Sequence, residues 1–338
     1  MMRSTIEVLN PGLATSIQDA GRWGYQSSGV PVSGAVDEFA FRLANLLVGN
    51  QPEDAAIEFM ILGPTLKFKG PTFIAITGGT CQAQLDGQVL QLNRAYQVKA
   101  GSVLHFKPIT AGRFGYLAVK GGILIPLILH SRATTSRIQL GGLAGRNLQV
   151  GDCLPIAVFY CLSSLAQRQL MVAPRPAVKK VVLHFVKGPQ WQLFSAQAQQ
   201  IFTEAAFTVS QQADRMGYRL AGPALPVPAK NMLSEGTVTG NVQITRSGQP
   251  IVLLADRQTA GGYPVIGTVC LADLEQLIQA QNGQQFCFQA ISVAAATQRL
   301  HEKYDDLQKL TTKISATRYQ LPIGPQQVAG QRIAELFD

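Results

Sequence analysis

Thr72-Phe73-Ile74-Ala75-Ile76 is a short apolar run, and Leu85-Asp86-Gly87-Gln88 follows it between two strand-like stretches. Asp-Gly in that setting is a hairpin turn signal, because both central residues must take positive φ. Similar runs recur along the chain: Ser102-Val103-Leu104-His105-Phe106, Val181-Val182-Leu183-His184-Phe185 and Pro250-Ile251-Val252-Leu253-Leu254. The chain has 32 Gly and 18 Pro, which break it into many such pieces. Short apolar runs closed by turn residues indicate a mainly β protein.

Helical periodicity is scarce. Val36 to Val48 carries Phe39, Leu43, Leu46 and Leu47 at helical spacing, with Ser33 ahead of it and Gly49-Asn50 behind. Those are start and stop signals. Leu271 to Gln281, ending at Asn282-Gly283, and Val293 to about Leu310 are the other two candidates, and Gly324 to Asp338 fits a short terminal helix. Arg175-Pro176-Ala177-Val178-Lys179-Lys180 follows a proline and precedes a new strand series, which makes it a junction. A length of 338 residues suits two domains. We divide the chain into residues 1–178, 179–292 and a helical extension over 293–338.

Charged residues make up only 14% of the chain, against a hydrophobic content of 46%. Such a surface suits burial against a partner protein, although a polar β protein soluble alone has the same composition. The net charge of +9 comes without a dense Lys/Arg run interleaved with aromatics, so acidic small molecules or an acidic partner fit better than nucleic acid. No stretch approaches the roughly 20 apolar residues of a membrane span, and Met1 to Val8 lacks the apolar core of a signal peptide. Cys81, Cys153, Cys161, Cys270 and Cys287 are an odd set without CxxC spacing, and read as reduced, mostly buried thiols of a cytoplasmic protein. The histidines, His105, His130, His184 and His301, are scattered without metal-ligand spacing, so no metal site is expected. His105 and His184 lie in strand patterns and read as core or barrel-wall residues.

No phosphate-binding GxxxxGK[ST] loop and no GxSxG elbow is present. Two segments concentrate polar groups among glycines. The first runs from Thr15 to Asp37 and carries Gln18, Asp19, Arg22, Ser33 and Asp37. It reads equally as a ligand-binding loop or as a capped loop with Asp19 on turn amides and Asp37 in a first helical turn. The second holds Glu235 and Gln243, then Asp256-Arg257-Gln258-Thr259-Ala260-Gly261-Gly262-Tyr263 at the end of an apolar strand. Burying a carboxylate, a guanidinium, an amide and a hydroxyl together is costly without use. Arg257 can clamp a carboxylate or phosphate, and the Gly261-Gly262 amides can form an anion nest. Asp256 is the first candidate for moving a proton and Glu235 the second, while Gln243 and Thr259 can orient an amide. The competing account makes Asp256 and Arg257 a structural pair.

Two weaker segments remain open. Ala213-Asp214-Arg215-Met216-Gly217 is a second Asp-Arg followed by Gly, explained equally by a hairpin with a surface ion pair. Ser131 to Arg137 with Gly141 to Arg146 is basic and hydroxyl-rich, and fits an anion site or a solvated loop.

In their order, these strings resemble the family that comprises the C subunit of 5-oxoprolinase, KipI antagonist and allophanate hydrolase subunit 2. The matching strings include Gln18-Asp19, Gly21-Arg22, Gly29-Val30-Pro31, Ser33-Gly34-Ala35, Arg42 to Asn50, Glu58, Leu62-Gly63-Pro64, Gly188-Pro189-Gln190, Asp214 to Gly217, Ser234-Glu235-Gly236 and Ala255 to Pro264. The resemblance spans about residues 5–310. It departs at Thr245-Arg246, where the family carries Pro-Pro, and at Ala260, where it carries Thr, and it fades past about Thr311. The resemblance implies a pair of cyclophilin-like β-barrels with a few short helices. It implies a role beside the A and the KipI-like B subunits of an ATP-dependent 5-oxoprolinase. Two alternatives come with it: half of a biotin-dependent urea or amide carboxyltransferase, and a non-catalytic antagonist of a KipI-like kinase inhibitor. For the carboxyltransferase reading, biotin must ride on a separate carrier, because no Met-Lys-Met attachment segment is present.

Overall fold

The structure is a computed structural model describing residues 2–160, 165, 168–170, 179–229, 232–280 and 283–317. Its described residues form a nine-stranded curled sheet, a closed seven-stranded barrel and a two-stranded ribbon, with four α-helices. The mainly β reading holds. The first unit is a branched sheet rather than a closed ring: strands run Ser16–Gln18, Ala56–Met60, Val103–Val119, Thr65–Phe68, Arg3–Asn10, Cys153–Ala157, and Thr72–Leu85 branches off Val103–Val119. The expected hairpin closes it locally, with Leu85 opposite Gln88 and positive φ of 51° at Asp86 and 82° at Gly87. The barrel runs Lys180–Lys187, Val265–Val269, Asn241–Ile244, Pro250–Leu253, Gly217–Ala221, Phe207–Ala213 and Gln285–Ala290, which pairs in parallel with Lys180–Lys187.

Side-chain alternation explains how the units join. Ile57, Ile74, Ile76, Leu117 and Val119 face one core inside the sheet. Their neighbours Ala56, Ala75, Tyr116 and Ala118 face a second core shared with α1 (Glu38–Leu47) and the barrel. A strand presents alternate residues to opposite faces, so these strands serve both cores. The alanines let α1 approach closely, and Thr77 Oγ1 donates 2.6 Å to the Ala40 carbonyl beneath it.

The helix begins later than expected. Asp37 is its N-cap, accepting from Ala40 N, and Ser33 lies four residues upstream with φ of 57°. Its buried face is Ala40, Phe41, Ala44 and Leu47. Leu43 and Leu46 are only half-buried against the same core, and the half-buried Phe39 ring lies tilted 5.6 Å from Tyr304 of the C-terminal helix. The helix expected over 271–281 shrinks to α3 (Leu274–Ile278). The one beginning at Val293 extends as α4 (Val293–Thr317). A helix the sequence did not announce, α2 (Ala196–Glu204), is capped by Ser195 and packs Phe202 against Phe185 and Phe288 in the barrel core. Residues 175–178, Gln281, Asn282 and the tail 324–338 lie outside the described residues, as does Cys161. Cys81, Cys270 and Cys287 are buried and Cys153 exposed, and burial pushes the Cys81 thiol up to about 11. No helix of the described residues is long and apolar enough to cross a membrane.

Candidate functional site

The barrel register builds the junction between the units. Gly217 pairs with Leu253, and beyond them the Asp256 amide donates 2.9 Å to the Arg215 carbonyl. Arg215 and Asp256 therefore emerge side by side at one barrel end. Arg215 Nε donates 2.8 Å to Asp256 Oδ2 and its Nη2 3.0 Å to Oδ1, a bidentate grip. Its Nη1 meets Glu58 of the sheet, and its Nη2 also reaches the Gly34 carbonyl at 2.7 Å. Ser33 Oγ adds a bond of 2.7 Å to Asp256 Oδ1, its positive φ turning the hydroxyl toward the barrel. Burial opposes the charge on Arg215, but Asp256 and Glu58 outweigh it and raise its pKa above the ordinary guanidinium value.

Glu58 continues the network. Its Oε2 accepts from Val36 N at 2.9 Å and from Tyr116 Oη at 2.7 Å, while Tyr116 Oη accepts from Asp37 N at 2.8 Å. Burial, with Glu58 and Asp37 adjoining, drives the Tyr116 hydroxyl well above its usual pKa, so it stays a donor. Asp37 Oδ2 accepts from Gln279 Nε2 at 2.8 Å, and Gln279 Oε1 accepts from the amides of Arg113 and Phe114. This chain of bonds locks α1, the sheet and the barrel end.

Over this junction lies a cleft of about 360 Å³. Its walls include Asp19, Ser33, Asp37, Arg257 and Thr239, with Leu300 and Tyr304 of α4 across it. Arg257 is 6% exposed. It donates 2.7 Å to Thr239 Oγ1 and 3.4 Å to the Thr237 carbonyl, and no carboxylate pairs with it among the described residues. Desolvation lowers its pKa. A buried cation satisfied only by neutral oxygens retains its capacity for an anion.

A second cleft of about 440 Å³ opens on the same barrel. Gln243, Gln258, Met216, Arg219, Asp214 and Tyr263 line it. Gln258 Nε2 lies 3.5 Å from Gln243 Oε1, and a Cβ on Gly261 would come within 2.5 Å of Gln243 Nε2. Only glycine leaves that amide its place.

The structure separates residues that the sequence grouped. Arg257 faces the first cleft and Gln243 and Tyr263 the second. Asp256 pairs with Arg215, not with its neighbour Arg257. Glu235 is exposed and accepts 2.9 Å from Gln190 Nε2, on the ribbon where it pairs with Gly261. The Thr259 carbonyl accepts from Thr237 N on the same ribbon, and Gly262 is exposed beside it.

In the first segment, Arg22 is fully buried and donates to the carbonyls of Ile128 and Ala133 and to Thr135 Oγ1. Asp19 accepts from Gly21 N and Ser131 Oγ, both at 2.8 Å, and from Arg132 N. Gln18 Nε2 bonds Ser16 Oγ and the Thr134 carbonyl. These residues clamp the 128–135 loop, whose Ser131, Thr134 and Thr135 are buried rather than solvated. Arg146 pairs with Asp152 instead of awaiting an anion. His105 is exposed against Thr65 Oγ1, and His184 Nδ1 lies 2.7 Å from Asp273 Oδ2. No cluster of three or more metal-ligating side chains exists among the described residues. Tyr116 and Gln279 were missed; each is a polar residue at an apolar strand or a helix end, and only that mismatch could have marked them.

Residues 28–290 match the family model for the carboxyltransferase domain, subdomain A and B, and the chain belongs to that family. It is 37% identical to the 5-oxoprolinase C subunit of Haemophilus influenzae over 89% of this chain and 96% of that one. It is 35% identical to the 5-oxoprolinase C subunit of Escherichia coli, over 91% and 98%. Among solved structures it superposes on urea amidolyase of K. lactis with a TM-score of 0.80 and 31% identity, covering 89% of this chain but 19% of that one. It superposes on TTHA0988 with a TM-score of 0.75 and 33% identity, over 85% of this chain, and spans only 55% of that protein. The family resemblance carried by the motifs is borne out.

Proposed function

We propose that this chain is the C subunit of an ATP-dependent 5-oxoprolinase, a hydrolase that opens 5-oxo-L-proline to L-glutamate together with A and B subunits. End-to-end similarity carries the reading: the chain covers 96% and 98% of two proteins named as the C subunit of 5-oxoprolinase, whereas yeast urea amidolyase is matched over 17% of its length. ATP enters at the level of the complex, since the chain holds no Walker-type loop. Its low charge content favours burial of surface against the KipI-like B subunit.

Within this reading Arg257 serves as the anion clamp of the first cleft, toward an activated phosphate. The amides of Gly261 and Gly262 face developing negative charge on oxygen, and Thr259 helps orient the substrate. Proton handling falls better to Glu235 than to Asp256. Both Asp256 oxygens are held by Arg215, and Ser33 holds one of them as well. Glu235 reaches solvent with a single neutral partner.

Co-purification with A and B homologues, followed by an assay of glutamate release from 5-oxo-L-proline, tests the proposal. Release is expected only from the complex and only with ATP. The second reading, half of a biotin-dependent carboxyltransferase, draws on the superposition on K. lactis urea amidolyase. Biotin-dependent carboxylation of urea without glutamate release establishes it instead.

A further inference from the structure

The floor of the second cleft is chemically unfinished. Gln243 is 1% exposed and its Nε2 has no hydrogen-bond partner. Gln258 Oε1, beside it, is also buried and unpartnered. A single contact of 3.5 Å links the two amides, from Gln258 Nε2 to Gln243 Oε1. Turning both amides reverses that contact but leaves the count unchanged: one free donor next to one free acceptor. Folding leaves few buried amides unmet, because an unmet group loses its hydration without compensation.

The rim supplies charge. Arg219 lines the cleft, is exposed, and its side chain makes no ion pair or hydrogen bond among the described residues. Arg137, reaching over from the first unit, sets Nη1 2.8 Å from Sδ of Met216, another wall residue. Asp214 also lines the cleft, but its Oδ1 is engaged by the amides of Met216 and Gly217. Tyr263 provides an aromatic wall.

We infer that this cleft binds a small cyclic secondary amide bearing a carboxylate. The lactam carbonyl accepts from the free amide N–H of the glutamine pair, the lactam N–H donates to the free amide oxygen, and the carboxylate meets Arg219. A ring forces its amide cis, so N–H and C=O lie on one edge and match a donor beside an acceptor. A trans amide presents them on opposite edges. The inference deepens the 5-oxoprolinase reading and rests on it for the identity of the acid.

The test uses the full chain and the reconstituted complex. Binding of 5-oxo-L-proline and of 2-pyrrolidinone, which lacks the carboxylate, is measured by ligand-observed NMR on the full chain. Arg219→Ala is expected to weaken 5-oxo-L-proline about tenfold, the scale of one charge-assisted hydrogen bond, and to leave 2-pyrrolidinone unchanged. Gln243→Leu is expected to weaken both ligands. Gln258→Leu, at a less buried position, repeats that test should Gln243→Leu not fold. In the complex, Arg219→Ala is expected to raise KM for 5-oxo-L-proline about tenfold, by the same bond's loss. Unchanged affinity and KM in both Arg219→Ala and Gln258→Leu overturn the inference, as does Gln243-dependent binding of biotin without binding of 5-oxo-L-proline. If the complex releases no glutamate while both lactams still bind through these residues, the site stands and the 5-oxoprolinase reading falls.

Discussion

Asp214-Arg215 and Asp256-Arg257 look alike in sequence, each an Asp-Arg pair with glycine shortly after. In the fold they are opposites. Arg215 is gripped by Asp256 and Glu58, while its own neighbour Asp214 caps a turn. Arg257 is buried with a threonine hydroxyl and backbone carbonyls as its partners. The ion pair is crossed between strands because their register places Arg215 against Asp256. Adjacent residues on an extended chain point apart, so an Asp-Arg dipeptide rarely pairs with itself. The difference separates a cation held for structure from one left available to an anion.

Arg215→Ala should produce the largest effect. It strands two carboxylates whose side chains are 1% and 12% exposed. Removing one partner of a buried ion pair costs about 3–5 kcal/mol. Urea unfolding of the full chain should show a loss of that size, and a loss near zero would break the comparison. Arg257→Ala should do the reverse, lowering turnover of the reconstituted complex about a hundredfold, or about 2.7 kcal/mol. Its unfolding free energy should fall by under about 2 kcal/mol, within the ordinary range for a single substitution. Near-normal turnover in that variant would remove Arg257 from the site.

Asp273 offers a milder case of a gripped carboxylate, held by His184 and by Arg299 of α4. Burial raises its pKa, but the His184 amide, Arg299 and the His184 ring together bring it below the ordinary carboxylate range. A depressed folded pKa stabilises the protein above the unfolded value of about 3.9 and loses that contribution as pH falls through the folded value. Wild type should exceed Asp273→Asn by about 1 kcal/mol near pH 6, given a half-exposed arginine partner. The two should converge as pH falls below the unfolded value; a constant difference in acid would show that packing, not charge, holds α4. The smallest effect belongs to Thr239→Val, which removes the closest partner of Arg257. We expect stability to fall by about 1 kcal/mol, the worth of one hydrogen bond, and turnover to fall severalfold.

Local signals were legible where local physics decides. The Leu85–Gln88 hairpin, the strands around Thr72, Val103, Val181 and Pro250, and the helix beginning at Val293 stood in the sequence and stand in the fold. The face of α1 did not read correctly, because apolar groups surround much of that helix and the choice between Phe39 and Phe41 depends on what packs on each side. Candidate residues were found as residue types. Asp256, Arg257, Gln243 and Glu235 were all singled out, but as one site.

The sequence alone determined the strand content, the hairpin, the family strings and the concentration of polar groups after Leu254. Those depend on residue type and short spacing. The tertiary structure alone decided that Asp256 belongs to Arg215, that Glu58 and Tyr116 complete that junction, and that Arg257 and Gln243 face different clefts. Such pairings join residues 41 to 157 positions apart. They are set by register and by the docking of two units, which no local pattern encodes.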